Sequence, residues 1–461
     1  MRSLAVSLLA LASFLPAPLT RAGEGSVVLD MQGDFYNPDR SEARGEAAQQ
    51  GWWTFASRFS TSASHRVIFS VRAILEEDTH GSISHTHLYD EEDRDLVRSP
   101  LRFEELSLKL DLGALDLEVG RQRLVWGRTD VVRPTDNLTP RDWTDPLDEQ
   151  RLSPWALRGN YEKGRWMAEL AGVARYAPSR LPLLGDRWFE TTRQSIVNPR
   201  YNPRDPNNSL GPPRLQLRFS WDEAKFPFTR LTNVQGAVRG GYRGQRVEWT
   251  LSYYRGFDDA PHVSARPGTP QFVAGFQPIL LTRRFPRLDV AGGDFQAIAG
   301  RWAFRGEAGY FHFPQRLDNG YLLYDLEMEW TWKDWSVILG GADVLGAELK
   351  ANLFSDVQKE VDEFRRTGRT APGTSSAIDQ VFLPAGFFRA GRNAPTEWQA
   401  SVEAMVGLDR GDRLVRLSGS WPLKDWLRAG GELDLMSGPP QTLYGTWGAN
   451  DRLRVFLSIT L

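Results

Sequence analysis

Six histidines are the first candidates for chemistry, and two of them, His85 and His87, lie two positions apart. In an extended segment that spacing puts both imidazoles on one side. Asp90, Glu91, Glu92 and Asp93 follow closely, a donor set of the kind that holds zinc, copper or nickel. The same residues also read as a solvated acidic surface loop, and no metal site is expected from them. His65, His80, His262 and His312 are too scattered to complete a nucleophilic triad. The chain has no Gly-X-Ser-X-Gly elbow, no His-Glu-X-X-His, no phosphate-binding Gly-X-X-X-X-Gly-Lys and no dinucleotide fingerprint. Glu327 and Glu329 form a carboxylate pair of the type used on glycosides, but they are equally explained as neighbours on one face of a strand. No catalytic residue, enzyme activity or cofactor is expected.

The most distinctive segment runs from Gly120 to Trp143, GRQRLVWGRTDVVRPTDNLTPRDW. Leu115, Leu117 and Val119 point one way along a strand, and Arg121 and Arg123 fall on the same phase. Arginines directed at lipid are costly, so a bulge at Gly120 that reverses the facing is expected. Past Trp126 and Gly127 the chain becomes a loop with Pro134 and Pro140, in which Arg128, Asp130, Arg133, Asp136, Arg141 and Asp142 are interspersed. Such a loop either folds back to narrow a pore or forms a rigid, salt-bridged external turn.

These residues need strands to position them. Beyond residue 25 the dominant pattern is period-two alternation in segments of about 9 to 12 residues, the length of a tilted strand that crosses a bilayer. Leu453, Val455, Leu457, Ile459 and Leu461 alternate with Arg454, Phe456, Ser458 and Thr460; Leu322, Tyr324, Leu326, Met328, Trp330 and Trp332 alternate with Asp325, Glu327, Glu329 and Thr331. Tight turns near Ser62 to Ser64, Gly113, Lys163, Gly244, Gly300, Lys333 and Lys424 alternate with long polar stretches such as Glu76 to Pro100, Gly127 to Pro154, Tyr176 to Arg230 and Phe257 to Leu288. Trp52, Trp53, Trp126, Trp155, Trp166, Trp330, Trp332, Trp335, Trp398, Trp421 and Trp426 fall at strand ends, where interfacial girdles sit. The expected fold is all-β: a transmembrane antiparallel barrel of about 18 strands, with 16 as the alternative count.

One stretch breaks the pattern. Leu345, Leu349, Leu353, Val357, Val361 and Phe364 repeat at helical spacing, so residues 345–364 read as an amphipathic helix inside a long insertion. It either covers a rim or enters the lumen. Asp379 to Phe388 reads either as a further strand or as loop packing.

The inward-facing residues expected from parity are Arg58, Arg66, Arg72, Arg158, Arg239 and Arg246 in the first half, joined by Arg121 and Arg123. Later strands contribute Asp325, Glu327, Glu329, Glu403, Glu432 and Asp434. If strand order maps around the barrel, a basic wall faces an acidic one and the transverse field orients polar solutes. Glu105, Glu118, Glu169, Arg305, Glu307, Arg416 and Arg428 interrupt that division, and pairing between neighbouring strands is the competing account.

Composition narrows the class. The 461 residues carry 56 Lys plus Arg against 58 Asp plus Glu, with no cysteine, which removes disulfide frameworks, thiolate metal sites and cysteine nucleophiles. Near-neutral charge argues against nucleic acid as partner. A charged fraction of 25% and a mean hydropathy of -0.43 exclude a bundle of membrane-spanning helices. Residues 1–22 have a basic start at Arg2, an apolar run from Leu4 to Leu15 and a small-residue end at Ala22, the layout of a secretory signal peptide. Its removal takes Arg2 and Arg21 out of the 56 basic residues set against 58 acidic ones, for a formal −4, and leaves 23–461 as one barrel domain.

The segment with Gly120, Arg121, Gln122, Trp126, Gly127, Pro134, Asp136, Pro140 and Asp142, together with the last hairpin from Trp447 to Leu461, resembles the alginate-export-like barrels and related uncharacterised outer-membrane proteins. That resemblance implies a passive outer-membrane conduit serving an export system. Many such barrels end in Phe, whereas this chain ends in Leu461. The expected function is a porin or export channel in the bacterial outer membrane for polar solutes or polymers, anionic ones included. Expected partners are outer-membrane lipids and lipopolysaccharide, the barrel-insertion machinery, the solute or exported polymer and an export complex. A secreted carbohydrate-binding β-sandwich and an outer-membrane barrel enzyme are the alternatives.

Overall fold

The computed structural model describes residues 23–42, 47–64, 66–79, 81, 83–84, 87–89, 98–148, 150–182, 186–188, 195–198, 200–204, 210–221, 233–314, 320–346, 383–440 and 442–461. The expected signal peptide, His80, His85, Asp90 to Asp93 and nearly all of the expected helical insertion lie outside them.

Eighteen strands form one sheet. In chain order they are β1 (Gly23–Tyr36), β2 (Gln49–Ser64), β3 (Val67–Asp78), β4 (Leu101–Asp111), β5 (Leu115–Arg121), β6 (Trp155–Lys163), β7 (Trp166–Val173), β8 (Gln235–Arg243) and β9 (Val247–Phe257). The second half is β10 (Arg287–Ala299), β11 (Trp302–His312), β12 (Tyr321–Trp332), β13 (Trp335–Leu345), β14 (Ala385–Arg392), β15 (Gln399–Gly407), β16 (Arg413–Lys424), β17 (Leu427–Ser437) and β18 (Arg452–Thr460). Each strand pairs antiparallel with the next, and β18 returns to β1 through a register from Val28↔Thr460 to Tyr36↔Arg452. No edge is left in the barrel sheet, which is what lipid demands of a sheet because it supplies no hydrogen bonds. The count of 18 settles against 16; of Asp379 to Phe388, residues 379–382 lie outside the described residues and Ala385 to Phe388 begin β14.

The alternation explains the closure. On β12, Leu326 is 54% exposed on the outside while its neighbour Glu327 is 4% exposed on the inside. Leu453 and Val455 of β18 are likewise exposed, and Arg452 and Arg454 between and beside them are buried. Burying an apolar stripe inside a solvated barrel would leave polar residues against lipid, so the pattern fixes which face turns outward. An apolar outside, a polar inside and complete closure make this a β-barrel of the bacterial outer membrane.

Short turns gather at one end and long connections at the other, as the alternation of turn and loop lengths predicts, apart from the five-residue β15–β16 connection (408–412) at the long-loop end and the six-residue β14–β15 connection (393–398) at the short-turn end. Outward-facing Trp166, Trp249, Trp302, Trp332, Trp335 and Trp398 ring the short-turn end, with edge-on contacts of 6.2 Å between Trp166 and Trp249 and between Trp335 and Trp398. Two expected girdle members are elsewhere: Trp52 and Trp126 are buried and face inward. Trp52 shares the phase of Thr54, Ala56 and Arg58 on β2, and Trp126 has left the wall altogether.

At the long-loop end a second, four-stranded sheet is built from Ser195–Val197, Arg214–Trp221, Phe276–Arg284 and His262–Pro267 in that order. Its Leu215, Leu217, Ile279 and Leu281 pack with Trp143, Leu181 and Ala260. The largest apolar cluster lies inside the barrel: Leu124, Trp126, Val132 and Leu138 of the β5–β6 connection pack against Ala171, Ala237, Tyr254, Val290, Phe311 and Leu323 of the wall.

Candidate functional site in the barrel lumen

The long connection between β5 and β6 enters the lumen. At Gly120 the backbone has φ +129° and a Cβ would lie 2.2 Å from the Leu106 carbonyl oxygen, so a side chain is excluded there. The β4–β5 register runs through Leu106↔Arg121 and Ser107↔Gly120 without a shift. The bulge expected at Gly120 is therefore absent, and facing is not reversed. Gln122, Leu124 and Trp126 are the buried set, whereas Arg121 stands half-buried and Arg123 exposed at the rim. The strand ends at Arg121, so these arginines escape the cost of lipid by position along the barrel.

Gln122 donates to the Ala156 carbonyl at 3.0 Å, and the Thr139 hydroxyl donates to the Leu124 carbonyl at 2.6 Å. The Trp126 indole N–H then donates to Glu169 on β7, two strands along the wall, at 2.9 Å. Gly127, at φ +88°, lets the chain pass directly over the Glu307 carboxylate, where a Cβ would sit 2.4 Å from Oε2.

Wall carboxylates hold the loop backbone from there. Glu307 on β11 accepts from the Arg128 amide at 2.9 Å, the Thr129 hydroxyl at 3.0 Å, the Thr135 amide at 2.7 Å and the Thr135 hydroxyl at 2.8 Å. On β12, Asp325 accepts from the Val132 amide at 3.0 Å and Glu327 from the Asp130 amide. A turn buried inside a barrel has no sheet partner for its amides, and these carboxylates supply the acceptors. Arg128 adds ion pairs to Asp294 on β10 at 2.5 Å and Glu248 on β9 at 2.6 Å. Asp130 faces Arg305 at 3.7 Å and Arg389 at 3.3 Å.

The loop's return leg is held by charges of its own. Asp136 pairs with Arg151. Asp142 is shared by Arg98 and Arg180, each at 2.9 Å. Burial alone would raise the Asp142 carboxyl, but those two guanidiniums and the Thr144 hydroxyl hold it well below the usual carboxylate range. Asp145 accepts from Arg452 at 2.6 Å and Arg454 at 2.9 Å, tying the loop to β18. The same arginines bind Asp434 of β17 and Asp34 of β1.

Of the residues expected in the channel wall, Arg58, Arg72, Arg158, Arg239, Asp325, Glu327, Glu329, Glu403, Glu432 and Asp434 occupy inward register positions. Arg66 and Arg246 do not: they lie in the short turns β2–β3 and β8–β9, exposed at the barrel end. The opposed basic and acidic walls are not found. Glu169 sits between Arg158 and Arg239 at 3.0 and 2.9 Å, Arg305 binds Glu327 at 3.2 Å and also Glu329, Arg389 binds Glu403 at 2.9 Å, and Arg416 binds Asp434 at 2.6 Å. Charges alternate from strand to strand and neutralise one another locally.

Arg58 and Arg72 stand open to the lumen. Arg58 and Arg72 face each other directly in the β2–β3 register, with side chains 61% and 41% exposed and carboxylates of Glu105 and Glu104 at 3.9 and 3.2 Å. Across the lumen, the loop leaves a cavity of about 160 Å³ between Asp130 and strands β14 to β16, lined by Phe387, Arg389, Glu403, Met405 and Arg416. Asp34, Asp294, Arg452 and Arg454 were not expected as site residues. Arg454 alone carried a signal, on the polar face of the last strand.

No protein-family model matches the chain, and no curated protein matches it. Among solved structures it is similar to Acinetobacter baumannii OccAB4, at 11% identity over 96% of this chain and 100% of that one with a TM-score of 0.48. It is also similar to Pseudomonas aeruginosa OccK3 (OpdO), at 10% identity over 95% and 96% with a TM-score of 0.47. A BenF-like porin from Pseudomonas fluorescens Pf-5 gives 9% identity over 95% and 98%, again with a TM-score of 0.47. The barrel stands on its own closed ladder and two faces. None of these comparisons shows the alginate-export-like resemblance carried in the sequence by the Gly120 to Trp143 segment and the Trp447 to Leu461 hairpin.

Proposed function

We propose that this protein is a passive channel of the outer membrane for polar solutes, with anions favoured. The observation that carries the proposal is the β5–β6 loop, fixed across the lumen by Glu307, Asp325 and Glu327 and leaving the charged gap of about 160 Å³ beside β14 to β16. A loop pinned in this way narrows a barrel of this width without closing it, and paired charges around the gap select for solutes able to exchange water for fixed dipoles. Arg128, Asp130 and Arg389 shape the constriction. Asp136, Arg141 and Asp142 hold its outer leg, and Arg133 donates to the Thr129 carbonyl at 2.7 Å within the loop. Arg58 and Arg72 raise the local concentration of anions on the open wall. The resemblance of Gly120 to Trp143 to export barrels adds an exported anionic polymer to the solutes worth testing. Residues 1–22 would be removed on export.

Purified protein inserted into a planar bilayer tests the reading. Discrete current steps with a preference for anions are expected, and Arg58→Glu with Arg72→Glu should lower the anion-to-cation permeability ratio several-fold. A barrel that shows heat-modifiable gel mobility yet passes no current above the bare bilayer would overturn it.

A further inference from the structure

The outer wall carries a groove of about 770 Å³ where β7 to β10 approach the long-loop end. Gly236 forms part of its floor, and Gly172 lies beside it on β7. Gly172↔Gly236 and Gly236↔Arg255 are register partners, so one row across β7, β8 and β9 reads Gly, Gly, Arg. A Cβ on Gly172 would meet nothing within 4 Å, and one on Gly236 only the Ala171 carbonyl at 3.8 Å. Both positions are open notches in an otherwise continuous apolar surface. One row nearer the membrane centre are exposed Leu170, Val238 and Tyr253.

The charge above the notch is unusual for a lipid-facing wall. Arg255 has a side chain 72% exposed. It lies eight residues beyond Val247 at the start of β9, which at about 3.3 Å per residue and a tilt of about 40° places it about 20 Å up an apolar band about 25 Å tall. Arg287 stands further out on β10, over the Phe257 ring at 4.2 Å and donating to Asn233 at 3.1 Å. Among the described residues Asp289 is the one carboxylate lining the groove, and it already accepts from the Tyr253 hydroxyl at 2.9 Å, with Arg255 at 3.7 Å. The groove is thus cationic at its outer end and apolar at its inner end. A guanidinium this exposed near the hydrocarbon is costly, and Asp289, 3.7 Å away and already accepting from the Tyr253 hydroxyl, offsets that cost only in part.

We propose that this groove binds a phosphorylated lipid of the outer leaflet, its phosphate between Arg255 and Arg287 and an acyl chain laid over Gly172 and Gly236 between Leu170 and Val238. Charge complementarity selects the phosphate, and continuity with the lipid-facing surface selects a lipid over a free ion. The site rests on the outer-membrane placement of the barrel and is separate from the lumen.

The test uses full-length protein in detergent, with its compact, heat-sensitive gel band as the control for folding. The probes are a disaccharide lipid bearing two phosphates, its phosphate-free counterpart, and inorganic phosphate, read by native mass spectrometry and by the shift in unfolding midpoint. The diphosphorylated lipid should bind and raise the midpoint; the phosphate-free lipid should bind at least 10-fold more weakly, and inorganic phosphate should give no shift. Arg255→Gln with Arg287→Gln should weaken lipid binding at least 10-fold, and Gly172→Leu with Gly236→Leu, which fills the notch and keeps the charges, should weaken it comparably. Equal binding of both lipids, protection by inorganic phosphate alone, or undiminished binding by either folded variant would overturn the proposal. None of these readouts depends on current through the lumen, so a failure here is distinct from a failure of the channel reading.

Discussion

Replacing Glu307 by alanine should release the lumen loop while leaving the barrel intact. The Glu307 side chain is buried, and it accepts two backbone amides, from Arg128 at 2.9 Å and Thr135 at 2.7 Å, besides the hydroxyls of Thr129 and Thr135. Thr129 keeps a second acceptor in the Val132 carbonyl at 2.5 Å, so its hydroxyl loses little. The amides have no such reserve. A buried donor left unmade costs about 1–3 kcal/mol, so the pair gives about 2–6 kcal/mol, reduced toward the lower figure because the variant no longer buries a carboxylate and water can enter the lumen. Even about 3 kcal/mol shifts a local equilibrium by roughly 150-fold. The barrel ladder is untouched, so gel mobility should remain heat-modifiable. Single-channel conductance should rise, with larger fluctuations in the open current, and the loop should become accessible to trypsin at Arg128 or Arg133. Glu307→Gln should fall between, because one oxygen remains to serve either the Thr135 groups or the Arg128 amide. Unchanged conductance and unchanged cleavage in the folded alanine variant would refute the idea that this carboxylate fixes the constriction.

Two further predictions concern pH, with opposite signs. The Asp142 carboxyl is held low in the folded protein by Arg98 and Arg180, so its contribution is complete above the unfolded value of about 4 and is lost as the pH falls below it. Acid should therefore loosen the outer leg of the loop, and Asp142→Asn, by stranding the buried Arg98, should cost about 3–5 kcal/mol at neutral pH, measured as protease sensitivity of the segment around Trp143; equal resistance at pH 3 and pH 7 would contradict it. Burial and the neighbouring Asp258 instead push the Asp259 carboxyl up to about 6. A raised folded value means its contribution is complete below about 4 and disappears as the pH rises through about 6. Asp259→Asn should flatten that dependence and slow hydrogen exchange at the Ser179 amide, which donates to the Asp259 carbonyl at 3.0 Å, above pH 6; a variant exchanging like the native protein across that range would count against it.

The barrel was legible because lipid enforces a two-residue period with little tolerance. Leu326 and Glu327, or Leu453 and Arg454, declare their faces without knowledge of any neighbour. The loop from Arg128 to Trp143 was legible as a charged insertion, and its inward course was one of two readings. What its charges touch was not. Glu307 lies 180 positions from Gly127, and nothing local to either residue announces that one passes over the other. The opposed walls failed for the same reason: whether Arg305 meets Glu327 or stands alone depends on the register of β11 against β12, which parity along one strand does not contain. Arg121 and Arg123 were assigned to the lumen because the end of β5 was placed too late; at a rim, an outward arginine needs no bulge to rescue it. Trp52 and Trp126 were read from residue type, and type alone does not separate an interfacial tryptophan from one that donates its indole N–H to a buried carboxylate.

Arg454 also bears on the chronology of assembly. It is made near the end of translation, yet it grips Asp34, 420 residues earlier, through bonds of 2.9 and 3.0 Å, and at the same time binds Asp145 of the lumen loop at 2.9 Å. The seam between first and last strands and the seat of the loop are thus one knot. Until the final strand arrives, Asp145 lacks Arg452 and Arg454, while Asp136 and Asp142 already have Arg151, Arg98 and Arg180 to hold them. Closing the ring therefore adds the last fastening to a loop already seated on Glu307, Asp325 and Glu327, and a sheet lacking β18 would keep the constriction but lose the tie between Asp145 and the seam.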